Sequence, residues 1–523
     1  MSASTAANPA ETVRGSISSR LSDLLNPILV REVQQAVKGR VFVLTILVAL
    51  AVSVVIAVVV ASDYLDGVGD GGSAFNLGFA TLVPLILFVV PMQAYNSMRT
   101  EMRGGIVEQL LMSRLGPGRV LFGKLQAAMV QFLLYVSVLA PLVATSYLLR
   151  GVDLPTIAVS LLLALLVCIT ATAFAVSSAA QAVAPSMQGL ANLGVAFGLG
   201  IGTFTLVGIV GSGAYATSLG AVMRSGSFSM TLSAVVLVAG LSTTLSWLTA
   251  RSFLLHAFEN KSTAFRIFLM LLPAIAFGWM LGFTPSRMWS ELFLVFLSGL
   301  VVLGLVFGVF MVTEQQKLSP RVHAHAPASP LRATLMAPLY PGRDRGMLCL
   351  VVFLAMLALI ALIFWPSSLG SGFRVSRFAV RVALMTTAYA LIYLGLGRWL
   401  RHRLPETAAG SSAARILIPS LLFLFILVPC LVDALALGGV RGWHIGHAMN
   451  PFWTVSYFVE SRWDSAFGIC LGVLGVAFLL QAPVMRRGIA EMRAAARARS
   501  ERDSGAPAEP PVVAPTAEAE PPA

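Results

Sequence analysis

A handful of residues in this chain have types and spacings that could do chemistry. Gly118-x-x-x-x-Gly123-Lys124 has the outline of a loop that cradles phosphates on backbone N–H groups and reaches them with a lysine. Leu125 stands where a Ser or Thr hydroxyl would be needed to hold magnesium, and no apolar strand of a βαβ unit precedes the loop, so this is no nucleotide site. His323 and His325 flank Ala324, while His444 and His447 lie near Trp443. Neither pair has a cysteine or carboxylate cluster to complete a coordination sphere, and both read as incidental loop histidines. The chain contains no His-Glu-x-x-His and no Gly-x-Ser-x-Gly, which removes the usual ground for a protease or hydrolase. Arg381 and Asp433 lie at similar depths in two neighbouring apolar runs. A lone charge there costs roughly 2–3 kcal/mol, so pairing or snorkelling is expected, with a structural ion pair favoured over a site for an anionic substrate.

The elements that carry charge point elsewhere. Residues 97–124 form a charged island between two long apolar runs, with Arg99, Arg103, Arg114, Arg119 and Lys124 set against Glu101 and Glu108. That cationic excess places the island on the cytoplasmic side of a membrane. Within it Ile106, Val107, Leu110 and Leu111 recur at helical spacing after Gly104-Gly105, predicting a short amphipathic helix. Gly116-Pro117-Gly118 then turns the chain into the next apolar run. Upstream, residues 20–39 place Leu21, Leu24, Leu25, Ile28, Leu29, Val33 and Val37 on one helical face. Arg31, Glu32 and the other polar residues are expected largely elsewhere, as in a helix lying in the membrane interface.

Glu101-x-x-Gly104-Gly105-Ile106-Val107-Glu108-Gln109-Leu110-Leu111-x-Ser113, followed by Gly123-Lys124 entering a span, resembles the cytoplasmic loop of type-2 ABC exporter permeases. The chain departs from that pattern at Ile106, where a small hydroxyl residue is usual, and at Arg114, where proline is common. The resemblance covers roughly residues 20–250. It implies that Glu101, Gly104, Gly105, Glu108, Leu110, Leu111 and Ser113 form a coupling segment that docks on a separate cytoplasmic ABC ATPase. That partner would use ATP and magnesium, whereas this chain would bind no cofactor and catalyse no reaction itself. The interfacial helix takes the place of the family's elbow helix. Asn450-Pro451-Phe452-Trp453 resembles the outer segment before the family's last span.

Composition agrees with a bilayer environment. Of 523 residues, 57% are hydrophobic and only 11% charged, against roughly 25% charged in soluble domains. The net charge of +13 is spread through short loops between apolar runs, a distribution that reports topology and not a groove for nucleic acid. The cysteines Cys168, Cys349, Cys430 and Cys470 all fall inside apolar runs and imply no disulfide framework. Runs of spanning length predict an all-α polytopic membrane protein with about twelve transmembrane helices. With the N-terminus inside, 28 of the 36 Lys and Arg residues fall on the inner side and 8 on the outer, so both termini are expected in the cytoplasm.

The domain reading is a tail at 1–19, a first six-span half at 20–252, two spans at 253–312, and a Pro-rich connector at 313–345. Four further spans at 346–485 and a basic, then Pro/Ala/Glu-rich tail at 486–523 complete the chain. Gly194, Gly198 and Gly202, and likewise Gly468 and Gly472, repeat every four residues and predict close helix packing. The expected function is export of an unidentified substrate across a bacterial inner membrane, with one chain or a pair of copies forming the pathway. An ion-coupled secondary transporter and a non-transport membrane scaffold or enzyme are the competing readings.

Overall fold

A computed structural model describes residues 27–503 apart from breaks at 67–70, 108, 110–115, 150, 182–187, 256–258, 286–287, 317–319, 325–326, 364–376, 406, 437–444 and 461–464. The described residues form helices and no strand, in two compact units, Met1–Leu255 and His256–Ala523. Eleven of the described helices are long and apolar enough to cross a membrane. The architecture is therefore that of an all-α, multi-pass membrane protein. The expected eleventh span falls on a helix whose apolar stretch, Ala413–Pro429, is shorter than the others.

In the first unit, α1 (Pro27–Lys38) leads into α2 (Arg40–Leu65). The next span, α3 (Gly71–Pro84) and α4 (Val90–Arg103), is interrupted by a π turn at Leu85–Val89. Its cause is local. Pro91 has no N–H to offer the carbonyl four residues back, and a wider turn accommodates its ring, with the Val90 N–H bonding to the Leu85 carbonyl instead. Then come α5 (Pro117–Leu148), α6 (Leu154–Ala180), α7 (Gln188–Gly211), the short α8 (Tyr215–Arg224) and α9 (Phe228–Leu254). α6 packs against α4 and α9, α3 against α5 and α7, and α1 against α5. One apolar cluster joins Phe75, Phe79, Phe132, Tyr135 and Cys168, and a second joins Tyr95, Met98, Val107, Leu121 and Val176.

In the second unit, α10 (Thr263–Phe283) and α11 (Trp289–Val312) are followed by two short helices, α12 (Pro320–Ala324) and α13 (Pro330–Met336). The connector expected to be irregular thus contains helical turns, and Pro330 sits at the start of one, where its missing N–H and fixed φ are tolerated. α14 (Arg343–Ile363), α15 (Arg377–Arg403), α16 (Ala408–Ala436), α17 (Pro451–Glu460) and α18 (Ser465–Asp503) complete it. The interior is built where α11, α14, α15 and α18 meet. Close approach occurs at Gly304 and Gly308, where an added Cβ would lie 2.9 Å from Phe353 and 2.7 Å from Leu394.

The glycines singled out for packing behave otherwise. A Cβ at Gly194, Gly198, Gly468 or Gly472 would meet nothing within 4 Å, and one at Gly202 would meet only Leu87, at 3.6 Å. Their spacing marks a small-residue face, which among the described residues makes ordinary contact at Gly202 alone and no close approach. Spacing reports which side of a helix is small, and the partner's position decides whether that side is used.

Candidate functional site

The site is built where α1, α4 and α5 converge. Extended backbone at Gly116 and Pro117 in the first turn start α5, and Lys124 follows two turns later on a face with Val120, Ala127, Ala128 and Gln131. Its side chain is 1% exposed. The Lys124 Nζ donates to Glu32 Oε1 at 2.7 Å and to Ser97 Oγ at 2.8 Å, and lies 2.9 Å from Glu101 Oε2. Ser97 Oγ in turn donates to Glu32 Oε2 at 3.0 Å. Arg31 closes the cluster by pairing with Glu101, with its Nη2 also 3.3 Å from Glu32 Oε1.

Two cations and two carboxylates therefore neutralise one another, and three of the four are almost fully buried. Burial of this kind is tolerated only when each charge is paired and hydrogen-bonded. The cluster joins three elements that are separate in sequence. One is the amphipathic helix (Arg31, Glu32), one the span entering the charged island (Ser97, Glu101), and one the span leaving it (Lys124). A polar recess of about 280 Å³, lined by Glu32, Ser97, Lys124, Gln93 and Gln131, adjoins it.

The start of the island is positioned by backbone geometry. The Gly104 N–H bonds to the Thr100 carbonyl at 2.9 Å as α4 ends, and Gly105 adopts φ of 67°, the left-handed region that residues with a Cβ enter with strain. Ile106 and Val107 then resume helical geometry, and the Gln109 N–H reaches the Gly105 carbonyl at 3.2 Å. Val107 is buried with Tyr95, Met98 and Leu121, whereas Ile106 is exposed. A second tie comes from Arg103 Nη2, which donates to Gln188 Oε1 at 2.6 Å.

Of the residues expected to couple, Glu101 lies in the ion cluster, and Gly104 and Gly105 form the turn. Glu108, Leu110, Leu111 and Ser113 lie outside the described residues or have undescribed side chains. Glu32 corrects the reading of the amphipathic helix, because it is 8% exposed on the same side as buried Ile28. The four-residue step between them is the signal that places both on one face. Arg381 is buried on α15, and the side chain of Asp433 lies outside the described residues.

The second unit has its own buried polar network. Arg266, fully buried, donates to Glu314 Oε2 at 2.6 Å, to the Pro338 carbonyl at 3.1 Å and to the Gly342 carbonyl at 3.2 Å. Arg345 bonds to Glu491 Oε2 at 2.6 Å and to the Gln316 carbonyl at 3.0 Å. Arg398 Nε reaches Asp344 Oδ1 at 2.9 Å. These bonds fasten both ends of the Pro-rich connector to α10, α15 and α18. Asn450 caps α17, accepting from the Phe452 N–H at 3.0 Å and the Trp453 N–H at 3.3 Å, with Pro451 in the first turn.

Among the described residues no group of three or more His, Cys, Asp and Glu side chains could hold a metal ion. Compared with protein-family models, curated proteins and solved structures, the chain matches none.

Proposed function

We propose that the chain is the membrane-spanning permease subunit of an ATP-driven exporter of the type-2 ABC class, worked by a separate cytoplasmic ATPase. The observation that carries this reading is the buried cluster of Arg31, Glu32, Ser97, Glu101 and Lys124. Glu101 and Lys124 stand at the two ends of the loop motif, and their ion pair closes the loop at its base. Arg31 and Glu32 bring the amphipathic helix into the same linkage.

In this reading a push on the loop reaches three elements at once, since α1, α4 and α5 cannot separate without breaking buried charge pairs. ATP binding would close the partner's two nucleotide sites. The coupling segment and α1 would carry that displacement into the spans and switch access between the two sides of the membrane. ATP and magnesium belong to the partner. The test is purification of the native chain from its own membranes under mild detergent, with identification of what accompanies it. An ATP-hydrolysing subunit in fixed ratio supports the proposal, and a chain that transports in vesicles on an ion gradient alone, with no such subunit, contradicts it.

A further inference from the structure

The second unit contains a cavity of about 720 Å³ walled by α11, α15, α16 and α17. Its wall is apolar along most of its length, with Val306, Val309 and Leu394 among the lining side chains. From Ser298 to Phe310 the α11 wall alone runs roughly 18 Å, at 1.5 Å per residue. Much of the polarity in the wall is already engaged. Tyr389 donates to the Ala448 carbonyl, Tyr393 to the Met449 carbonyl, and Thr386 to the Val382 carbonyl.

Arg415 is different. Its Nε donates to Thr313 Oγ1 at 3.2 Å and its guanidinium lies over the Phe310 ring, 5.4 Å from the centroid. Both contacts are at the end of α11 toward Thr313, so they hold the cation at that end of the cavity. Glu314 acts on it electrostatically, but no carboxylate makes a direct ion pair with it among the described residues. The nearby Glu314 is taken by Arg266 and by the Gly342 N–H. The Nη groups of Arg415 make no hydrogen bond among the described residues, although it lines the cavity. One α-helical turn onward, Pro419 offers no N–H to the Arg415 carbonyl, which loosens the backbone at the same point.

The flank is open. Val302 is 58% exposed and Val306 49%, on a helix long and apolar enough to cross a membrane, and Phe452 on the short α17 is 70% exposed. A long apolar slot, open at its side and ending in a cation with free donors, matches an amphiphile with hydrocarbon chains and an anionic head. We propose that this cavity binds one anionic phospholipid from the surrounding bilayer. Its chains would lie between α11 and α16, and its phosphate would rest against Arg415. The proposal needs the chain only to sit in a membrane, and stands or falls separately from the ATPase reading.

The full-length chain, stripped of lipid in detergent, would be titrated with phosphatidylglycerol or phosphatidylcholine and followed by native mass spectrometry. One phosphatidylglycerol should be retained at lower lipid concentration than phosphatidylcholine, by about fivefold for a single basic side chain. Arg415→Gln should abolish that preference while leaving chain-dependent binding. Val306→Trp, at a half-exposed position that tolerates bulk, should weaken retention of both lipids without altering the elution profile. Inorganic phosphate in excess should leave the lipid bound. Equal retention of the two lipids, a preference that survives Arg415→Gln, retention unaffected by Val306→Trp, or displacement by phosphate alone would overturn it.

Discussion

Lys124→Met keeps most of the side-chain length and apolar stem while deleting the ammonium that Glu32, Ser97 and Glu101 share. The cluster then passes from neutral to a net charge of minus one, with two nearly buried carboxylates left to a single arginine. Arg31 is itself about one-third exposed and already engaged with Glu101 and Glu32, so it cannot replace three contacts of 2.7 to 2.9 Å. Breaking a buried pair by removing one partner costs about 3–5 kcal/mol. At roughly 2–4 °C per kcal/mol for a domain of this size, the midpoint of thermal unfolding should fall by roughly 6–20 °C. Adding Glu32→Gln to Lys124→Met leaves Arg31 and Glu101 as a neutral pair. The double variant should therefore be more stable than the sum of the two single losses by about 1–3 kcal/mol. The assay is a thermal double-mutant cycle on detergent-purified protein, read by intrinsic fluorescence. Additive losses, or a Lys124→Met midpoint within a degree or two of the parent, would refute the view of these residues as one charge-balanced unit.

Gly105→Val forces a β-branched residue to φ of 67°, a strain of about 1–3 kcal/mol. A Cβ there meets nothing within 4 Å, so the damage should stay in the turn, seen as faster proteolysis within residues 104–116 at unchanged membrane abundance. Asn450→Ala removes the cap of α17 together with the Nδ2 bond to the Ile426 carbonyl and should lower stability by about 1–2 kcal/mol, whereas Asn450→Asp keeps the cap acceptor but loses that buried donor and should not restore the parent's stability in the same unfolding assay. A cysteine at exposed Ser329 should be labelled by an impermeant thiol reagent only after the membrane is opened, and one at Ser73 from outside in intact cells. The reverse pattern would invert the topology argued from the charges.

The sequence made the membrane architecture legible because long apolar runs have few other fates. It also placed Gly104 and Gly105 at a turn, since paired glycines after a charged helix end have a conformational reason. The ion cluster was less visible. Lys124 stood out as part of a near-miss phosphate motif, but its partners are 27 and 92 positions away in Ser97 and Glu32, a separation that local spacing cannot bridge. Glu32 was hidden by the amphipathic pattern, in which a charge is presumed to face water. The glycine repeats meet the same limit. Gly304 and Gly308, in an equally apolar run, meet Phe353 and Leu394, while Gly194 and Gly198 meet nothing, and only tertiary position separates the two cases.

The most direct test of the coupling account is ATP hydrolysis by the co-purified partner in proteoliposomes, with the parent chain and with Glu108→Lys. Glu108 lies in the charged island and outside the apolar lengths that hold the chain in the bilayer, so the variant should insert normally. The account predicts that the parent chain stimulates hydrolysis and that Glu108→Lys loses the stimulation or the association, at equal amounts of reconstituted permease. Full binding and full stimulation by the variant would contradict the assignment of this loop as the element that transmits the partner's work.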